Sequence, residues 1–82
     1  MEWQIIKREQ NDEPREVVLT TPSIQITVHR HIHFKPDLWL VTTRGDVRLN
    51  CAVLLHSDLE GAKKEAIEKV LTVVARIKNE LG

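Results

Sequence analysis

Residues 57–82, SDLEGAKKEAIEKVLTVVARIKNELG, form one uninterrupted tract with helical periodicity, and the 56 residues before it carry none. That asymmetry restricts the chain to one long helix set against whatever the preceding segments build. Ser57 followed three residues later by Glu60 predicts a reciprocal cap at the helix start. At 100° per residue, Ala62, Ala66, Val70, Val73, Val74, Ile77 and Leu81 fall near one direction, and Ile67 and Leu71 widen the arc. The stripe spans about half the circumference, where packing on one sheet needs roughly 100°. Either a second contact or a curved sheet wrapping the helix would use the surplus. Glu60 with Lys64, and Glu65 with Lys69, have the spacing of solvated pairs on the outer surface.

Upstream, turn chemistry divides the chain at EQNDEPR (9–15), TTPS (20–23), FKPD (34–37) and TRGD (43–46). The runs between, rich in β-branched and aromatic residues, predict strands at about 3–8, 16–20, 24–34, 38–43 and 47–56, with the helix at about 58–81. The expected fold is α+β, a five-stranded antiparallel meander sheet with one C-terminal helix on one face, and residues 1–82 read as a single domain.

Strand alternation assigns the faces. In IQITVHRHIHF (24–34), Ile24, Ile26, Val28, Ile32 and Phe34 share one side, with Arg30 the exception, and His29, His31 and His33 share the other with Gln25 and Thr27. A tight turn at Lys35-Pro36 would set His33 opposite Leu38 and His31 opposite Leu40, so that Trp39 and Val41 join the isoleucine side. For the next strand, a three-residue loop Thr43-Arg44-Gly45 places Leu49, Cys51, Val53 and Leu55 beside Trp39 and Val41. A two-residue Gly45-Asp46 loop would instead turn Arg48 and Asn50 inward, at the cost of burying unpaired polar groups. The first register therefore predicts a binding face made of His29, His31, His33, Leu38, Leu40, Arg48, Asn50, Ala52 and Leu54. That mixture is too apolar for plain solvent and too polar for a core, as at protein interfaces.

Alternate histidines lie about 7 Å apart at Cα, so two imidazoles of His29, His31 and His33 can converge on a divalent metal. The expected register supplies no carboxylate beside them, which leaves no metal site within one chain and keeps the histidines as candidates for one between subunits. Twelve basic and twelve acidic side chains cancel, which disfavours nonspecific nucleic-acid binding. A single-stranded nucleic acid on the bare sheet face is the alternative reading, with the histidines, Arg48, Lys7, Arg8, Arg30 and Lys35 nearby, but Trp39 points to the core side. No nucleophile elbow or glycine-rich phosphate loop is present. Cys51, the single cysteine, reads as a buried residue of a reducing cytosol.

SDLEGAKKEAIEKV, following a strand, looks like the start of the helix in HicB-type antitoxin domains, over fourteen residues. That resemblance implies short strands before the helix and partner binding of the antitoxin kind. The aromatic-valine strand and proline-glycine loop usual there are replaced by LNCAVLLH, and no membership follows. The residues themselves predict a non-catalytic, cytoplasmic assembly or interaction module without cofactor or membrane segment. It would pair as a homodimer or higher homo-oligomer, or with a protein partner, through the histidine-bearing face.

Overall fold

Valine, isoleucine and tryptophan at alternate positions build the sheet, and they do so in chain order. The computed structural model describes residues 2–30 and 38–82. Strands β1 (Gln4–Arg8), β2 (Pro14–Thr20), β3 (Ile24–Arg30), β4 (Trp39–Gly45) and β5 (Ala52–Val53) form one antiparallel sheet in the order β1-β2-β3-β4-β5. Helix α1 (Leu59–Leu81) packs across one face, as expected for an α+β meander. Its side chains Ala62, Ala66 and Val70 meet Val17 and Leu19 of β2, Ile26 and Val28 of β3, Trp39 and Val41 of β4, and Leu54. Small alanines at the first two core positions of the helix let its backbone approach the sheet closely, which leaves room for the bulky Trp39 in the same core.

The β3–β4 pairing differs from expectation by two residues. His29, not His31, lies opposite Leu40, and Val28 lies opposite Val41. A slide of two leaves every side chain on its own face, so Trp39 and Val41 still join Ile26 and Val28. The ladder now runs on to an Ile24–Gly45 pair. Gly45 has φ of 115°, and a Cβ there would sit 2.3 Å from the Ser23 carbonyl oxygen, an approach that only glycine permits. The Asp46 amide donates to that same oxygen at 2.9 Å. The predicted Lys35-Pro36 turn and residues 31–34 of the predicted third strand lie outside the described residues.

The last strand overturns the expected register. Gly45 ends β4 instead of closing a three-residue loop, and Leu40 and Val41 pair with Val53 and Ala52. Leu54 is therefore inside, 1% exposed, whereas Val53 and Leu55 are 52% and 89% exposed. The cause is Thr43, which the predicted loop would have left in solvent. It points to the core side and is buried, so its polar atoms need partners. Residues 46–51 supply them by folding back over it. The Thr43 hydroxyl donates to the Val47 carbonyl at 2.8 Å and accepts the Leu49 amide at 2.7 Å, while the Thr43 amide donates to the Leu49 carbonyl at 2.9 Å. Cys51, at φ 50°, then reverses the alternation before β5 begins. It is exposed, not buried as expected. Reading 47–56 as one unbroken strand made this parity look costly. The chain adopts it without burying Arg48 or Asn50, because both lie on the excluded loop and stay exposed.

The helix cap also differs. Asp58, not Ser57, is the N-cap, its carboxylate accepting the Gly61 amide at 2.8 Å. Ser57 is engaged otherwise, its carbonyl receiving the Trp39 indole N–H at 2.9 Å. With Gly61 in the third helical position, Glu60 cannot complete the reciprocal cap and pairs with Lys63 at 3.1 Å instead.

Candidate interaction surfaces and the His56–Glu65 junction

On the sheet face opposite α1, β2, β3 and β4 line up Glu16, Val18, Gln25, Thr27, His29, Thr42 and Arg44 around a shallow groove of about 380 Å³, closed along one side by Ile6 of β1. Cross-strand pairing sets these side chains: Gln25 lies opposite Arg44, Thr27 opposite Thr42, and Glu16 opposite His29. His29 Nε2 is 2.9 Å from the Thr42 hydroxyl. That hydroxyl donates to Cys51 Sγ at 3.6 Å and accepts the Cys51 amide at 3.2 Å. Lys7 lies 3.8 Å from Glu16 at the rim.

Of the predicted binding face, His29 and Leu40 are paired across β3 and β4 on the expected side, and Leu40 is already 4% exposed; Leu38 precedes β4 and is half-buried. His31 and His33 lie outside the described residues. Ala52 and Leu54 turn toward α1 instead, and Arg48 and Asn50 belong to the loop that satisfies Thr43. The physical reason is the reversed parity of β5. The same reversal brings Val53 onto this face opposite Leu40. Among the described residues no three His, Cys, Asp or Glu side chains are grouped to hold a metal ion. Trp39 is buried and stacks beneath the Arg30 guanidinium, 4.5 Å from the ring centroid, so neither is offered as a base-stacking platform.

Exposed large apolar side chains fall into two groups, Ile5, Ile6, Val53 and Leu55 on the strands and the junction that follows them, and a continuous set on the helix. The buried residues of α1 are Ala62, Glu65, Ala66 and Val70. From Leu71 onward none is buried, and Leu71, Val74, Ile77 and Leu81 are exposed. At 1.5 Å per residue the helix is about 34 Å long. Its buried residues are confined to the first half, so the sheet does not wrap the whole of the wide stripe.

A third feature escaped the sequence reading. Glu65, expected as one half of a solvated pair with Lys69, is 8% exposed and faces the junction between β5 and α1. Both of its oxygens accept the Leu55 amide, at 2.8 and 2.9 Å, and Oε1 also accepts the His56 amide at 3.0 Å. His56 Nδ1 lies 2.7 Å from the same Oε1. Burial pushes the Glu65 carboxyl up, but the His56 ring and the two amides outweigh it, and its pKa is lowered from the ordinary 4.5. The hydrogen bond to Glu65 raises the His56 pKa above 6.5 against a smaller effect of burial, helped by the negative charges of Glu65, Asp58 and Glu68. Gly61 makes room for the ring, since a Cβ there would sit 2.6 Å from His56 Cδ2. The available signal was the position of residue 65 on the helix, one turn from Ala62 and next to Ala66.

No helix among the described residues is long and apolar enough to cross a membrane. No protein-family model, curated protein or solved structure matches the chain.

Proposed function

We propose that this chain is a small, non-catalytic interaction module of the cytoplasm that pairs with a second copy of itself through the distal half of α1. The observation that carries the reading is the run Val70, Val74, Ile77, Leu81, with spacings of four, three and four, of which the last three are exposed. That spacing is the self-complementary seam of paired helices. Lys78 and Glu80 flank it on opposite sides, so a parallel pair sets the basic flank of one helix along the acidic flank of the other. Leu71 and Val73 broaden the seam. An 82-residue chain gains from such pairing, because a domain of this size buries a modest fraction of its surface unaided. The exposed single thiol of Cys51 suits a reducing compartment. The His29 groove on the opposite face is the second surface, open to a protein partner.

Analytical ultracentrifugation across a concentration series tests this. A monomer–dimer equilibrium that Ile77→Glu shifts to monomer, while Arg44→Glu in the groove leaves it unchanged, is the expected result. A wild-type chain that stays monomeric at high concentration overturns it, and so does a dimer abolished by Arg44→Glu and not by Ile77→Glu.

A further inference from the structure

We propose that the His56–Glu65 contact is a titratable clasp that sets how firmly the start of α1 is seated on the sheet, tightest while an imidazolium faces the carboxylate and looser once His56 is neutral. The inference stands apart from self-association, since it concerns the other end of the helix.

Three donors converge on the Glu65 carboxylate: the Leu55 amide, the His56 amide and His56 Nδ1. The two amides belong to the residues that follow Leu54, the core residue just after β5. The carboxylate belongs to the second turn of α1, between the core residues Ala62 and Ala66. One side chain therefore ties the end of the sheet to the helix face that covers it. The same junction is fastened on the other side by the Trp39 indole N–H to the Ser57 carbonyl, while Asp58 serves the Gly61 amide within the helix itself.

The charged groups facing the ring are Glu65 and Glu68 from α1 and Asp58 from the junction, all acidic. Lys69 lies on the same side of α1, lining with Glu65, Glu68 and Leu49 a separate hollow between the helix and residues 49–52. Their summed field favours the imidazolium, and a charge-assisted hydrogen bond is roughly twice as strong as a neutral one. After deprotonation two tautomers remain. With the proton on Nδ1 the ring still donates, without its charge. With the proton on Nε2, a lone pair faces the carboxylate oxygen and the contact opens. Both outcomes weaken the clasp, and because the His56 pKa is raised the change falls at higher pH than for an unperturbed imidazole. The carboxylate keeps its two amide donors throughout, so α1 loosens without leaving the sheet.

The test is an NMR titration from about pH 5 to about pH 8.5, spanning the range in which a histidine changes charge. It follows the His56 ring nitrogens, the Leu55 and His56 amide protons, and hydrogen exchange in the first two turns of α1. Both amide shifts are expected to track the ring midpoint. Exchange at Ala62, whose amide donates to the Asp58 carbonyl, is expected to rise several-fold across that midpoint after correction for its intrinsic pH dependence. His56→Gln, which keeps a donor but cannot titrate, is expected to flatten both responses. In Glu65→Gln the ring midpoint is expected to fall back toward 6.5. Amide shifts that ignore the ring midpoint, helix exchange that does not change across it, or a His56→Gln chain with an undiminished response would each overturn the clasp. Should Glu65→Gln fail to fold, the wild-type titration and His56→Gln still decide.

Discussion

Thr43 and Leu49 hold each other by two hydrogen bonds, backbone amide to carbonyl at 2.9 Å in one direction and backbone amide to hydroxyl at 2.7 Å in the other. This exchange takes residues 46–51 out of the sheet and so fixes which side of β5 faces the helix. Thr43→Val keeps the shape but removes the hydroxyl, leaving the Leu49 amide and the Val47 carbonyl without their partner. Stranding partly buried polar groups costs about 1–3 kcal/mol, and urea denaturation is expected to show a loss of that size. Thr43→Ser, which retains the hydroxyl, is expected to lose less.

The register of β5 makes opposite predictions for neighbouring residues. Leu54→Ala empties a site in the centre of the core and is expected to cost about 2–5 kcal/mol. Val53→Ala, on the exposed side, is expected to change stability by no more than about 0.5 kcal/mol. Thermal or chemical unfolding of the two variants separates the observed register from the one with Val53 inside, which would reverse the order.

Gly45→Ala meets two obstacles at once. Its φ of 115° disfavours any side chain, and the added Cβ would collide with the Ser23 carbonyl oxygen, a backbone atom that cannot swing aside. Backbone strain of this kind costs about 1–3 kcal/mol by itself, and the collision adds to it. Loss of the Asp46 amide from exchange protection, along with a lowered unfolding midpoint, is the expected signature.

Stability is also expected to have a plateau in pH. Glu65 has a lowered pKa, so its contribution is present above 4.5 and disappears as pH falls through the lower, folded value. His56 has a raised pKa, so its contribution is complete below 6.5 and disappears as pH rises through the higher, folded value. The two limits place the plateau of this pair between 4.5 and 6.5. Denaturant midpoints measured across the range are expected to fall on both sides, with the alkaline shoulder missing in His56→Gln. The alkaline fall is the shallower, because His56 is half-exposed and its charge is screened by solvent.

The architecture was legible because each element carries its own period. Alternating Ile26, Val28, Trp39 and Val41 marked the inner face, and Ala62, Ala66 and Val70 marked the helix face that meets it. Alternation is preserved by a slide of two residues, so the misplaced partner of Leu40 did no harm to the assignment of faces. It fails at a single left-handed residue. Cys51 carries no sequence mark of that conformation, and the buried Thr43 that requires the intervening loop is an ordinary turn residue in the neighbouring TRGD. Leu54 and Ala52 were therefore given to the wrong side. Glu65 was misread for a related reason: a four-residue spacing to Lys69 describes one helix in isolation, whereas the donors at Leu55 and His56 come from ten and nine residues upstream.

The indole of Trp39 is fastened to the Ser57 carbonyl one residue before the helix cap. Its emission therefore reports on that joint: any lifting of the first turn releases the N–H and admits water to the ring, shifting the spectrum to longer wavelength. Trp3, lying under Lys63 with its ring centroid 5.9 Å from the ammonium nitrogen, contributes the only other tryptophan signal, and Trp3→Phe would leave an optical gauge of helix seating that needs no attached dye.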